Sequence, residues 1–77
     1  MKHKHSDIHN KLKLNICYER EKQGLSQTQL AEKAGISKKH MRNIEAINSN
    51  TVPSLAVLID IANALDISLD ELFDFGG

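Results

Sequence analysis

The chain has no tryptophan, one tyrosine, two phenylalanines, one proline and one cysteine among its 77 residues. Each scarcity excludes something. A lone cysteine, Cys17, cannot close an internal disulfide, and no paired Cys/His spacing of the zinc type occurs. Without either staple, so short a chain must draw its stability from regular helix packing or from pairing with a second copy. No apolar run approaches the length of a membrane span, and the Lys- and His-rich start lacks the apolar core of a signal peptide. A cytoplasmic protein of one domain and one modest core is expected. Basic residues are missing from one end altogether. Residues 1–50 hold all ten Lys and Arg against five acids (Asp7, Glu19, Glu21, Glu32, Glu45), whereas residues 51–77 hold five acids and no Lys or Arg. The formal net charge of zero therefore hides a split molecule. A polyanion would meet the first half, and the acidic half would face away from it.

What the chain does have is helical periodicity. Residues 1–6 (Met-Lys-His-Lys-His-Ser) are polar without periodicity, and disorder is expected there. His3, His5 and His9 lack cysteine or carboxylate partners at ligand spacing, so solvated side chains are expected and no metal site. Lys2 and Lys4 leave open the alternative of a basic arm that touches phosphates. A first helix is predicted from about Asp7 to Gln23, with Ile8, Leu12 and Ile16 recurring every four residues as one apolar stripe. Cys17 lies beside the stripe as a small core residue, with no His or acid placed to activate it. Arg20 falls on the stripe itself, a costly place for an unpaired charge. Gly24 closes the helix. A fourth helix is predicted from Pro53-Ser54 to Leu65, with Leu55, Leu58, Ile59, Ala62 and Leu65 as its buried face. Ser68 and Glu71 have capping-box spacing and open a last short helix through Phe73.

The stretch from Leu25 to Glu45 reads as two short helices joined by a tight turn. Ser26 is the N-cap of the first, with Gln29 placed to reach back to its backbone N–H. Gly35 stands where a helix ends on a left-handed residue, and Ser37 caps the second helix almost at once. So short a turn makes the helices cross steeply, which is helix-turn-helix geometry. The matching words are Gly24-Leu25-Ser26-Gln27, Leu30-Ala31-Glu32-Lys33-Ala34-Gly35-Ile36-Ser37, Asn43-Ile44-Glu45, Pro53-Ser54-Leu55, Ile61-Ala62-Asn63-Ala64-Leu65 and Ser68-Leu69-Asp70-Glu71-Leu72-Phe73. In these words and their order, from about Leu12 to Phe73, the chain resembles the helix-turn-helix domains of the XRE family, which includes the lambdoid phage repressors and Cro. The resemblance implies an all-α, compact five-helix bundle of the lambda-repressor-like type, spanning 7–75, with the motif at helices 2 and 3 (26–45). Two departures stand out. Asp66 sits where the family more often has Gly, and Asp tolerates the left-handed conformation at modest cost. The loop from Ala46 to Val52 is about two residues longer than usual, with Ala46 where Gly is common, so Asn48 or Asn50 is a candidate for the left-handed residue.

At about 100° per residue, Met41 and Ile44 lie on one side of the second motif helix, while Lys38, Lys39, Arg42 and Asn43 share an arc of about 140° on the other. Such a helix fits a DNA major groove, where Lys donates to guanine O6 and N7 and Asn pairs bidentately with adenine. On an isolated helix the same residues would be a solvated face. Arg42, one turn along, suits a phosphate equally well. His40 points to the side of the arc and suits the DNA backbone or nothing. The resemblance places Gln27 against the DNA backbone, buttressing the recognition helix; Thr28 offers a hydroxyl from the same first turn, whose N–H groups also favour phosphate. It also implies a structural ion pair between Arg20 and Glu45.

The function these readings imply is a sequence-specific regulator of transcription on double-stranded DNA, most simply a repressor bound as a dimer to a palindromic operator. Leu69 and Leu72 are expected to close the core, while Phe73 and Phe75 either pair with a twin chain through the C-terminal helix or end as core residue and frayed tail. No cofactor, metal, membrane or small-molecule ligand is expected. The rival is an antitoxin or other protein-interaction module whose helix-turn-helix is secondary, although little chain remains outside the bundle to wrap a partner. An enzyme is not expected, since no nucleophile–base pair or glycine-rich phosphate loop is present.

Overall fold

The structure, a computed structural model, describes residues 6–74. The expectations for residues 1–5 and for Phe75 lie outside the described residues. Five helices follow in order: α1 (Ser6–Lys22), α2 (Gln27–Ala34), α3 (Lys38–Glu45), α4 (Leu55–Leu65) and α5 (Leu69–Leu72). No strand occurs among the described residues, and the all-α bundle expected from the sequence is the fold. Its α1 begins one residue earlier than anticipated, at Ser6.

Serine starts four of the helices. Ser26, Ser37, Ser54 and Ser68 each accept from the N–H three residues on, which satisfies one of the donors that a helix leaves open at its N-terminus. Two of these are complete capping boxes: Gln29 Oε1 accepts from Ser26 N–H at 2.8 Å, and Glu71 Oε1 accepts from Ser68 N–H at 3.0 Å. The C-termini are less uniform. Gly35 ends α2 at φ 74°, and Asp66 ends α4 at φ 57°, the one non-glycine residue with positive φ among those described. Neither Asn48 nor Asn50 is therefore left-handed, contrary to the expectation for that loop. The residue that ends α3, Ala46, is extended (φ −75°), and the loop turns through a Ser49 N–H to Ala46 carbonyl bond of 3.1 Å.

The core draws on every helix. Ile16, Leu30, Met41, Ile44, Ile61, Leu65 and Leu72 are fully buried, with Leu12, Leu58 and three alanines around them. α2 packs on both α3 and α4, α1 lies across α3, α4 and α5, and α5 closes the far end. Three parts of the anticipated core are corrected. Leu55 and Ile59 are 63% and 40% exposed, and Ile61 is buried in their stead. The α4 sequence LAVLIDIANAL is apolar at almost every position, so periodicity cannot say which face turns inward; its neighbours cover only the arc of Leu58, Ile61, Ala62 and Leu65. Ile8, at the outer end of the α1 stripe, is largely exposed, and Cys17 is half-buried.

A Cβ built on Gly35 meets nothing within 4 Å. The cost of replacing this residue is therefore conformational and not steric. Gly35→Ala is expected to lower stability by about 1 kcal/mol, read from urea melts, without disturbing the packing of α2 on α3.

Candidate nucleic-acid interface

α3 has one acidic residue, Glu45, and it points inward. Its carboxylate accepts from Arg20 Nε at 2.8 Å (Oε2), from Arg20 Nη2 at 3.0 Å (Oε1) and from Gln27 Nε2 at 3.0 Å (Oε1). The guanidinium is shared further: Nη1 donates to the Leu25 carbonyl at 2.7 Å, and Nη2 lies 3.5 Å from Cys17 Sγ. One side chain from α1 thus holds the turn before α2, and the first residue of α2 joins it on the last residue of α3. The Arg20 and Glu45 side chains are only 11% and 4% exposed. The hydrogen bond to Glu45 pushes the Arg20 guanidinium further above its already high ordinary value, against the opposing effect of burial. Burial and the nearby Glu45 and Glu21 carboxylates push the Cys17 thiol up, away from the reactive thiolate, against the opposing effect of Arg20.

With Glu45 neutralised and Met41 and Ile44 in the core, the opposite side of α3 carries only basic and neutral groups. Lys38, Lys39 and Arg42 are exposed, and His40 and Asn43 are half-buried. Gln27 and Thr28 are half-buried at the start of α2. One amide N–H of Gln27 is committed to Glu45, and the residue therefore ties α2 to α3. The first-turn N–H groups of α2 have no intrahelical acceptor and give that end a partial positive charge. The structure thus brings all seven residues expected to contact DNA onto the two motif helices, five of them within one helix of eight residues.

Three further polar side chains anchor helix ends, Lys13 at α3, Gln23 at α4 and Asn15 at α5. Lys13 is 3% exposed, and its ammonium donates to the carbonyls of Ala46 (3.0 Å), Ser49 (3.3 Å) and Asn43 (3.5 Å). Burial pushes this group below the ordinary lysine value. Gln23 Nε2 donates to the Leu65 carbonyl at 2.6 Å, and Asn15 Nδ2 donates to the carbonyls of Leu72 (2.8 Å) and Asp74 (3.0 Å). A signal for Lys13 did exist. At about 100° per residue it falls within the same arc as Leu12, Ile16 and Arg20. No comparable local signal marks Gln23 or Asn15, because their acceptors lie 42 and 57 residues away.

Comparison with known proteins covers the motif and the helices after it, starting within α1. A family model described as helix-turn-helix matches residues 18–72. The HTH-type transcriptional regulator SinR of Bacillus subtilis (strain 168) is 40% identical over 55 residues, covering 71% of this chain and 49% of that protein. The chain spans about half the length of the curated relative it matches.

Removing one partner of a buried ion pair leaves the other charged and unsatisfied. Arg20→Ala is expected to cost about 3–5 kcal/mol in urea melts, a large share of what a domain this size has. The double variant Arg20→Met, Glu45→Met should lose much less than the single one, since no orphaned charge remains. An Arg20→Ala protein as stable as the parent would remove the pair from its structural role.

Proposed function

The chain belongs to the XRE-type helix-turn-helix family, and from that premise we propose that it is a sequence-specific, double-stranded-DNA-binding regulator of transcription, acting as a dimeric repressor on a palindromic operator. The observation that carries the reading is the two-sidedness of α3. Met41 and Ile44 have no exposed surface, the one acid is neutralised from behind, and Lys38, Lys39 and Arg42 face outward. A helix so presented enters a major groove with its side chains against base edges.

Roles follow from position. Lys38 and Lys39 stand in the first turn of α3, where side chains reach base edges, and Asn43 stands further along with amide geometry suited to adenine. Arg42 and His40 flank that set and serve the phosphate backbone. Gln27 and Thr28 bring the start of α2 to the neighbouring phosphate, where free N–H groups and the helix dipole favour an anion. Residues 51–74, with their five acids and no Lys or Arg, trail away from the duplex. Repression is then simple occupancy of a site that the transcription machinery needs.

Dimerisation is supported by the apolar surface that one chain leaves uncovered. Phe73, directly after α5, is 41% exposed, and Leu55 and Ile59 show on the outside of α4. Two copies joined through this C-terminal region would place two α3 helices on half-sites about one helical turn apart.

Selection of bound duplexes from a random pool tests these assignments together. The parent should return a palindrome. Lys38→Ala, Lys39→Ala and Asn43→Ala should each relax or change preference at particular positions, at about 1–3 kcal/mol per lost base contact. Arg42→Ala should weaken all duplexes alike and lower the salt slope by about one. Uniform weakening by Lys38→Ala, Lys39→Ala and Asn43→Ala would reduce those residues to backbone contacts. Sedimentation at micromolar concentration should show a dimer; a strict monomer, with and without the selected duplex, would remove that part of the proposal.

A further inference from the structure

α3 ends differently from the helices on either side of it in sequence. α2 and α4 close on left-handed residues, Gly35 and Asp66, whose N–H groups each return to two carbonyls of the helix they end. α3 closes on extended Ala46, whose N–H returns only to Arg42. The end of α3 therefore lacks the paired closing bonds of its neighbours, and its carbonyls carry the negative end of the helix dipole. Lys13 of α1 supplies the missing donors. Its three N–H groups meet three carbonyls: Asn43 in the last turn of α3, the cap residue Ala46, which also accepts from Ser49 N–H, and Ser49 in the turn beyond. No carboxylate among the described residues pairs with it. The ammonium is thus fully engaged by backbone dipoles and, at 3% exposure, does not reach a phosphate itself.

We infer that Lys13 is a positioning residue for duplex binding: it clamps the end of α3 and the 46–49 turn onto α1 as one rigid unit. That unit sets the height at which Lys38, Lys39 and Asn43 meet the groove and carries the exposed Asn48 and Asn50 alongside them. The inference rests on the DNA-binding reading above and adds a residue to it that touches no DNA. A clamp of this kind affects affinity evenly. It leaves base preference to the side chains that read bases, and it releases no counterion of its own.

Lys13→Met keeps the apolar stem and removes the ammonium; Lys13→Arg keeps a cation. Both are compared with the parent on the duplex that the parent selects, at a temperature where circular dichroism shows each folded. Lys13→Met should bind about tenfold or more weakly, with unchanged base preference and an unchanged salt slope. Amide exchange across residues 46–51 should accelerate while α2 and α4 stay protected. Lys13→Arg should stay within about threefold of the parent, a difference small beside that loss. Three outcomes would overturn the inference: a folded Lys13→Met within about twofold of the parent, a salt slope lowered by about one, or protection lost evenly across all helices. Where Lys13→Met alone does not fold, adding Ala46→Gly offers α3 a left-handed ending. This double variant should regain its fold but not its affinity, and recovery of both would likewise overturn the clamp. A parent that selects no duplex defeats the DNA-binding reading itself, and the positioning role with it; failure of the clamp alone leaves the parent's selection intact.

Discussion

The Glu45 carboxylate is the constraint on which the rest of the molecule depends. It sits at the last residue of α3, 9% exposed, and a charge so placed is tolerated only when fully hydrogen-bonded. Arg20 and Gln27 supply three bonds to it, one partner from α1 and one from the first turn of α2. The pairing does two things at once. It fixes the rotation of α3 about its own axis, because Glu45 can face only the guanidinium. It also takes the single negative charge of α3 away from the side where Lys38, Lys39 and Arg42 emerge. Orientation and electrostatics of the candidate DNA-reading surface therefore share one cause.

α1 acts as the strut against which the other helices are trimmed. Lys13 takes the carbonyls at the end of α3, and Asn15 takes those at the end of α5. Gln23, in the turn just after α1, takes the last carbonyl of α4. Each of these helices ends where one of these side chains can receive it. The helix starts are autonomous by comparison, since all four serine caps bond within their own turn. Local chemistry begins the helices, and contacts from α1 and the turn after it help to end them.

The charge split gives the arrangement a direction. The basic residues lie in α1, α2, α3 and the segment before them, while α4 and α5 carry acids alone. A neutral chain can in this way present a basic face to a polyanion and keep an acidic back. The apolar groups left on α4 and beside α5 fall in the acidic part, so self-association there would not compete with a duplex for the same residues.

How much of this was legible depended on how local each cause was. The five helices, their serine caps and Gly35 follow from residues within four positions of one another, and the sequence alone determined them. So did the division of α3, where apolar and basic residues alternate with clear helical period. The left-handed Asp66 was read from the family's usual glycine at that place. The α4 face was not legible, because a helix that is apolar almost all round leaves its inward side to whatever packs against it. Leu55 and Ile59 lost that competition to Ile61. Lys13 was readable only in part. Its place on the wheel put it inside, but nothing in the sequence said that three carbonyls more than 29 residues away would converge on it. α3 ends on an extended alanine, with neither Asn48 nor Asn50 left-handed, where those carbonyls meet Lys13. Where a segment's hydrogen bonds are satisfied from a distant helix, only the tertiary structure decides its shape, because the acceptor geometry does not exist until the helices have packed.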